Sequence, residues 1–282
     1  DKDCPAIEPI VEGIYKERAE EEEDIFVTNE EALLLKDKSA MLIVVDVNLP
    51  AMTECPELLK SVSTIVVLDH HRQNNETIKN AVVSYVEPYA SSTCEMVAEI
   101  LQYIVDKPKL KNIEADAMYS GILVDTDNFV IKAGVRTFEA AAFLRRAGAD
   151  VTRVRKMFRE DMEHCRIRTA IINKAEIYMN EFAISTFDGA NVSGATVVGA
   201  KAANALLNIQ GIRGSFVLTS LQDCIYISAR SIDELNVQVI MEKFNGGGHL
   251  TMAAAQLKDV TLEEAKQQLE DVLQQMREDG DI

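Results

Sequence analysis

The sequence predicts a two-lobed α/β protein, in which a mainly parallel sheet flanked by helices precedes a smaller α/β lobe. Three short runs rich in Val and Ile, at 42–47, 64–68 and 82–86, are typical of buried strands. Strands joined by helical connections favour parallel pairing. The length of 282 residues suffices for about two domains, and 47% hydrophobic with 27% charged residues is typical of a globular chain.

Helix signals follow the third strand. Ser92 and Glu95 have the spacing of a capping box, which predicts a helix from there to about Val105. Further helices are predicted from Ala115 and over 137–146. The presence of these helices beside the strands is the second observation behind the predicted α/β class.

A change of pattern after residue 150 sets the domain boundaries. Residues 1–150 are predicted to form the first lobe, which begins with a polar helical arm carrying the acidic run 20–24. A mixed-charge stretch over 151–180 is interpreted as a helical linker. Residues 181–282 are predicted to form the second lobe. Its predicted strands lie at 195–198, 214–218 and 224–228, and its predicted helices lie near Ala200, Leu235 and Thr261.

The charge balance excludes whole classes of partner. Asp and Glu number 46 against 29 Lys and Arg, which gives a net charge of -17. Such a field repels nucleic-acid backbones and anionic membranes, so we expect no duplex nucleic acid among the partners. No apolar run approaches the roughly 20 residues that span a bilayer, so we expect no membrane contact by this chain and a cytoplasmic location. Five scattered cysteines predict reduced thiols and no zinc site.

Acids and histidines follow three apolar segments. Asp46 ends the first strand, Asp69, His70 and His71 end the second, and Asp125 ends a third apolar run. Because ligands bind outside the carboxyl ends of parallel strands, we expect these side chains to converge on one crevice. Carboxylates with imidazole suit Mn²⁺, and two such ions would activate a water molecule and neutralise a phosphate. A single aspartate after a strand is more often a turn former or a helix cap, and the paired histidines strengthen the metal hypothesis.

A second signal is a glycine-rich segment, followed by a helix-compatible run at 250–255. The segment comprises Asn245, Gly246, Gly247, Gly248 and His249. Successive glycines let the backbone approach a ligand closely, and N–H groups at a helix start attract phosphate. Arg230, which ends a predicted strand, is a candidate cation for a phosphate. The alternatives are a flexible turn for the glycines and an exposed salt bridge for Arg230.

Two of these segments resemble the signatures of a known family. Asp69-His70-His71 and Gly246-Gly247-Gly248-His249 are similar to the namesake motifs of the DHH/DHHA1 phosphoesterases. Longer stretches, at 68–72, 86–93, 227–231 and 236–241, are similar to the catalytic region of GdpP-type cyclic-di-AMP phosphodiesterases. The resemblance spans nearly the whole chain. It implies a DHH domain followed by a smaller DHHA1 domain.

The resemblance implies roles for the residues of the first lobe. Asp46, His70 and Asp125 would be ligands of a site for two Mn²⁺ ions, with Asp46 bridging the ions. His71 would face the substrate phosphate, and Asp69 would orient the adjacent histidines.

The resemblance also implies a nucleotide-binding second lobe, in which Arg230 and the segment from Gly246 to His249 would contact the nucleotide. Cyclic-di-AMP would be the substrate and linear pApA the product, and homodimer formation stays open. Two alternatives remain. One is a related hydrolase acting on short oligoribonucleotides or pAp, and the other is a catalytically inactive nucleotide-binding module.

The chain departs from the family pattern at two points. No histidine precedes Asp46, so the family's His-x-x-x-Asp-x-Asp signature has no counterpart, and we expect an incomplete set of metal ligands and a missing first strand. We expect upstream segments of the intact protein to supply that signature and to anchor it at the cell membrane. Asn48 stands where the family has a histidine, which is expected to weaken or retune the metal site.

Overall fold

The computed structural model describes residues 7–17, 25–37, 39–104, 108–232 and 235–282. The chain divides into two compact units, Asp1–Arg159 and Glu160–Ile282. Each unit has hydrophobic cores of its own, so each is described by itself. The acidic run at 20–24 lies outside the described residues. No described helix has the length and apolarity needed to cross a membrane.

The sheet of the first unit has three parallel strands. These are β1 (Met41–Val45), β2 (Thr64–Asp69) and β3 (Val83–Val86), in the order β1-β2-β3. In this register Val45 lies opposite Leu68, so β1 and β2 end at the same edge. The predicted strands and their parallel pairing are confirmed. The residues that follow these strand ends are therefore neighbours.

One face of this sheet carries a small aliphatic core. Val44, Ile65 and Val67 pack there with Leu59 and Ile78 from the β1–β2 and β2–β3 connections. Three described helices precede β1 or connect β1 to β2. They are α1 (Glu8–Glu17), α2 (Asn29–Leu35) and α3 (Leu58–Ser61).

A separate helical core completes the first unit. Its elements are α4 (Thr93–Ile104), α5 (Asn112–Asp125), α6 (Val135–Arg146) and α7 (Val151–Met157). Ala98, Ile122, Leu144 and Val154 are fully buried where these helices meet. The apolar run before Asp125 is therefore the last turn of a helix and does not resemble the two strand ends. A run of four apolar residues is too short for its periodicity to separate helix from strand.

The sheet of the second unit has six strands in the order β4-β5-β6-β7-β9-β8, and only the β5–β6 pair is parallel. The strands are β4 (Glu176–Tyr178), β5 (Phe182–Asp188), β6 (Gly214–Leu221), β7 (Cys224–Ser231), β8 (Gly247–Gly248) and β9 (Met252–Lys258).

Helices cover both faces of this second sheet. On one face lie α8 (Met162–Asn173) and α9 (Ala195–Leu206), which share a core with β5 and β6. On the other lie α10 (Val237–Glu242) and α11 (Leu262–Asp279), around the buried rings of Phe182 and Phe216. The α/β class of the second lobe is confirmed.

Two local predictions in the second lobe were wrong, and one strand was missed. Residues 195–198 begin α9, where Ala195, Val198 and Ala202 are buried at helical spacing. The helix-compatible run at 250–255 lies largely in β9, where Ala253 and Ala255 alternate into the core. Alanine favours helix intrinsically, and pairing with β7 outweighs that preference. Strand β5 was not predicted.

The stretch 151–180 contains α7, α8 and β4. The division between the two units falls inside it, between Arg159 and Glu160. Asp150 and Asp161 cap the two helices, each accepting a hydrogen bond from a backbone N–H of the first turn. Two separately capped helices therefore occupy most of this stretch.

Candidate active site

Asp46 lies immediately after β1 in a left-handed backbone conformation, with φ 64°. Aspartate is among the few residues with a side chain that adopt this conformation readily. The backbone N–H of Asp46 donates to the carbonyl of Leu68 at 3.0 Å, which ties the turn to β2. The Asp46 side chain is 59% exposed, and the Thr93 hydroxyl donates to its Oδ1 at 2.8 Å. Strand pairing and one hydrogen bond from α4 thus set the direction of this carboxylate.

His70 follows β2 and is buried. Its Nδ1 lies 3.4 Å from the carbonyl oxygen of Ala90. A carbonyl only accepts, so this contact favours the tautomer with the proton on Nδ1. The lone pair of Nε2 then faces the Oδ1 of Asp46 at 3.6 Å and the Oδ2 of Asp125 at 3.7 Å. The structure therefore brings together the three predicted metal-ligand candidates.

Asp125 reaches this group from the end of α5. Burial raises the pKa of the Asp125 carboxyl above its usual value, and the charge of Asp46 raises it further, while His70 and Lys132 act in the opposite direction. Burial beside the two aspartates also raises the pKa of the Cys94 thiol to about 12, so that thiol is neutral. The available donors at this point are therefore oxygen and nitrogen atoms.

Asp69 and His71 form a second pair beside the first group. Asp69 is fully buried, and its Oδ1 accepts hydrogen bonds from the Nδ1 of His71 at 2.7 Å and the His71 backbone N–H at 3.1 Å. Its Oδ2 accepts from the Nδ2 of Asn48 at 2.5 Å. Burial raises the pKa of Asp69, but these hydrogen bonds outweigh it and lower the pKa overall. The bond to Asp69 raises the pKa of His71 despite partial desolvation.

The residues present fit a divalent metal. One ligand atom each from Asp46, His70 and His71 lies within 4.8 Å of the others, and the Oδ2 of Asp125 lies 3.7 Å from the His70 Nε2. Two carboxylates facing one imidazole nitrogen form a donor set suited to Mn²⁺ or a similar ion. Asn48 replaces the expected histidine and holds Asp69, and its buried Oδ1 has no hydrogen-bond partner among the described residues. A metal at this point would also relieve the repulsion between the two aspartates.

The structure of the glycine-rich segment differs from the one that the sequence predicts. Gly247 and Gly248 form the short strand β8 paired with β9, so no helix start lies there, and the phosphate argument based on a helix N-terminus was wrong. Gly248 has φ 149°, and a Cβ there would overlap the carbonyl oxygen of Met252. A Cβ on Gly246 would overlap the carbonyl oxygen of Ala254. These two glycines are required by the backbone packing itself.

Gly247 is the exception, because a Cβ there would meet no described atom within 4 Å. Arg230 is close in the strand register, since it lies opposite Met252, whose carbonyl accepts from the His249 N–H at 2.6 Å. The Arg230 guanidinium donates to the carbonyl of Ala229 at 2.8 Å. The predicted nucleotide residues are thus grouped at one end of β7, β8 and β9. They belong to the second unit, and the metal-ligand candidates belong to the first.

Sequence analysis missed the contribution of the segment between β3 and α4. Ser91 and Thr93 lie in a stretch that resembles the family, but no role was predicted for either residue. In the structure Thr93 contacts Asp46 and Ser91 contacts Glu95. The predicted capping box is only half present. The N–H of Glu95 donates to the Ser92 hydroxyl at 3.0 Å, while the Glu95 carboxylate accepts from Ser91. A cluster of hydroxyl residues just after a strand was the available signal.

Family models match both units. The DHH family N-terminal domain matches residues 6–122, and the DHHA1 domain matches residues 183–278. The first match contains Asp46, His70 and His71 and ends just before Asp125, and the second contains Arg230 and the glycine-rich segment. The chain belongs to the DHH/DHHA1 phosphoesterase family. Its resemblance to that family, inferred above from two motifs, is confirmed.

Curated DHH/DHHA1 relatives are similar over most of the chain. The chain is 46% identical over 244 residues to the cyclic-di-AMP phosphodiesterase PdeA of Listeria monocytogenes serotype 1/2a (strain 10403S). The aligned region is 86% of this chain and 37% of that protein. It is 44% identical over 252 residues to the cyclic-di-AMP phosphodiesterase GdpP of Geobacillus thermodenitrificans (strain NG80-2), covering 89% of this chain and 38% of that protein. The chain thus spans less than two fifths of the length of these relatives.

A solved structure supports the DHH/DHHA1 fold. An exopolyphosphatase-related protein from Bacteroides fragilis matches with a TM-score of 0.74 at 19% sequence identity, covering 93% of this chain and 76% of that one. At this level of identity the match concerns the fold alone.

Proposed function

We propose that this chain is the hydrolytic region of a Mn²⁺-dependent phosphodiesterase that opens cyclic-di-AMP to linear pApA. The observation that carries the proposal is the approach of the His70 Nε2 to carboxylate oxygens of Asp46 and Asp125, at 3.6 and 3.7 Å. The names of the two curated relatives supply the substrate class. A chain at -17 needs local positive charge to hold a dianionic substrate, and divalent ions would provide it.

Asp46, His70 and Asp125 would hold Mn²⁺ in this proposal. When bound, divalent metal activates a water molecule for attack on phosphorus and neutralises the charge that develops on the phosphate oxygens. The second ion of a two-metal site would need further ligands beyond these three.

His71 would act on the substrate phosphate. Its Nδ1 donates to the buried Asp69, so its other ring nitrogen, Nε2, is directed away from that carboxylate. In the protonated ring that Nε2–H would donate to a phosphate oxygen. Opening the ring to pApA breaks the bond between phosphorus and one ribose 3′-oxygen, and water supplies the new oxygen on phosphorus. Asp69 holds the ring and its proton in place throughout.

Arg230 and the backbone around Gly247 would bind the nucleotide. The guanidinium suits a phosphate or a base edge, and the open space beside Gly247 allows a ligand to approach the backbone closely. His249 would add a ring that stacks on a base or donates to phosphate.

The test is hydrolysis of cyclic-di-AMP, pApA and pAp by this chain with Mn²⁺, followed by chromatography, with a binding titration on the same sample. We expect turnover of cyclic-di-AMP to pApA that is lost in His70→Ala. Preference for pApA or pAp would instead indicate the related oligoribonucleotide or pAp hydrolase. Tight nucleotide binding without turnover at any Mn²⁺ concentration would indicate a binding module.

Gly247→Ala tests the nucleotide site without disturbing the fold. A methyl group there meets no described atom, so we expect unchanged stability with weaker cyclic-di-AMP binding. Gly134→Ala, at a position with equally open surroundings in the first unit, is the matched control and should bind normally. Equal affinity in the two variants would exclude the proposed approach of nucleotide to this backbone.

A further inference from the structure

The segment Ala90–Glu95 contacts two of the three candidate metal ligands, with Ala90 against His70 and Thr93 against Asp46. It joins β3 to α4 and is buried almost throughout, with Ser91, Ser92 and Glu95 each at most 1% exposed. Burying a hydroxyl or a carboxylate destabilises the folded protein unless the group is hydrogen-bonded, so we expect each of these side chains to have a hydrogen-bond partner.

Thr93 controls the direction of Asp46. The Asp46 side chain is 59% exposed, so packing does not fix its rotamer. Its backbone is left-handed, at φ 64°, which places the carboxylate on a turn rather than on a regular strand. The Thr93 hydroxyl, at 2.8 Å from Oδ1, supplies a directional contact from the start of α4. Because one lone pair of Oδ1 accepts that proton, the other oxygen, Oδ2, and the remaining lone pair of Oδ1 stay available to a metal.

Glu95 acts on His70 through Ser91. The Glu95 Oε2 accepts from the Ser91 hydroxyl at 2.5 Å and from the Ser91 N–H at 3.4 Å. These bonds hold the peptide next to Ala90, whose carbonyl faces the His70 Nδ1 at 3.4 Å. That carbonyl favours the tautomer whose Nε2 lone pair points at Asp46 and Asp125.

Arg136 lies beside the buried carboxylate of Glu95. Its Nε lies 3.9 Å from the Glu95 Oε1, and the guanidinium is held by two hydrogen bonds to Glu99, both at 2.7 Å. Both oxygens of the buried Glu95 carboxylate therefore have a partner, Oε2 in Ser91 and Oε1 in Arg136.

We infer that Thr93, Ser91 and Glu95 are positioning residues for the metal site, Thr93 acting through Asp46 and the Ser91–Glu95 pair acting through His70. The inference rests on the proposed function, since it takes Asp46 and His70 as metal ligands. Partners that orient metal ligands typically change metal affinity by about 10- to 100-fold when removed.

The test compares Thr93→Val, Ser91→Ala and Glu95→Gln in the full 282-residue chain. Mn²⁺ affinity is measured by electron paramagnetic resonance of free Mn²⁺, and the His70 tautomer is measured in the metal-free protein from its ring ¹⁵N shifts. Signals are assigned with His70→Gln. Thermal unfolding of the metal-free proteins reports any loss of fold.

All three variants are expected to weaken Mn²⁺ binding by about 10- to 100-fold. Ser91→Ala and Glu95→Gln are also expected to mix the two tautomers of His70, whereas Thr93→Val leaves the tautomer unchanged. Thr93→Ser keeps the hydroxyl and should restore affinity.

Asp116→Asn is the matched control for a merely structural effect. Asp116 is also 1% exposed in the first unit, and it binds Arg153 and the N–H of Asp150. It is expected to lower thermal stability while leaving Mn²⁺ affinity and the His70 tautomer unchanged. If the three variants lose no more Mn²⁺ affinity than this control, the positioning role is wrong.

Failure of the two proposals can be told apart. A parent chain that binds Mn²⁺ but leaves cyclic-di-AMP intact contradicts the proposed function, while the affinities of the variants still decide the positioning role. A parent chain that binds no Mn²⁺ overturns the positioning role as well, because there is then no metal to position.

Discussion

At the scale of single residues, Asp125 carries a charge that folding does not favour. Its pKa is raised by burial and by Asp46, so the folded chain binds its proton more tightly than the unfolded chain. As pH rises from the ordinary carboxyl pKa of 3.8 through the raised value, folding stability is lost. Ionisation of Asp125 therefore opposes folding and provides a carboxylate for a metal.

Asp125→Asn should separate those two effects. We expect the metal-free variant to be at least as stable as the parent towards urea, while Mn²⁺ affinity and hydrolysis both fall at least about 10-fold. Asp223→Asn, an exposed aspartate of the second unit, serves as the control and should change neither property. A variant that keeps full Mn²⁺-dependent activity would show that Asp125 is no ligand.

At the scale of elements, two capping boxes with the same residue types begin helices that differ in burial. Thr261 with Glu264 caps α11, which buries Ala265, Leu269, Leu273 and Met276. Thr28 with Glu31 caps α2, none of whose residues is buried. The loss of a cap matters to stability only when the helix is coupled to a core.

Thr261→Ala is therefore expected to lower the free energy of unfolding of the second unit by about 1 kcal/mol. Thr28→Ala should leave the unfolding of both units nearly unchanged. Urea denaturation of both variants, followed by circular dichroism, measures the difference. Equal losses in the two variants would mean that helix docking does not determine the effect.

His164 of α8 forms a hydrogen bond with the loop that precedes α9. The two ring nitrogens of His164 face the Ser193 carbonyl at 2.9 Å and the Asp161 carboxylate at 2.6 Å. Both partners accept, so both nitrogens donate only when the ring is charged. The Ser193 carbonyl and then Asp161 raise the pKa of His164 above its ordinary value of 6.5.

Because this pKa is raised in the folded chain, the stabilising contact is fully present below the ordinary pKa of 6.5 and is lost as pH rises through the raised value. We expect the parent to be more stable than His164→Gln at about pH 6, and this advantage to shrink at about pH 9. Asp161→Asn keeps an N-cap side chain and should lower the pKa of His164, measured by NMR titration. An advantage independent of pH would assign the contact to the neutral ring.

At the scale of the whole molecule, the negative net charge opposes the approach of an anionic substrate and favours the binding of divalent cations. A net charge of -17 repels a dianionic dinucleotide and attracts divalent cations. Both long-range effects become weaker as the salt concentration rises. We expect kcat/KM for cyclic-di-AMP at saturating Mn²⁺ to increase between about 20 and about 200 mM NaCl, and Mn²⁺ affinity to decrease. A kcat/KM that falls with salt would show that local positive charge dominates the approach of substrate.

The sequence by itself determined the family and the α/β fold class of this protein. The aspartates and histidines after the Val- and Ile-rich strands, the parallel sheet and the Thr261 capping box all follow from local patterns that need few distant partners. Family membership likewise rested on short motifs whose residues are contiguous. These features could be predicted because strand periodicity, capping and motif spacing are properties of neighbouring residues.

Only the tertiary structure decided how those residues meet. Asp125 reaches His70 from a helix end, β9 forms from an alanine-rich run, and Gly246 and Gly248 are required by the packing of β9. Thr93 donates a hydrogen bond to Asp46, which lies 47 positions away in the sequence. Such contacts depend on which distant segments pair and pack, and the energy of that pairing exceeds the local preferences on which a sequence-based prediction relies.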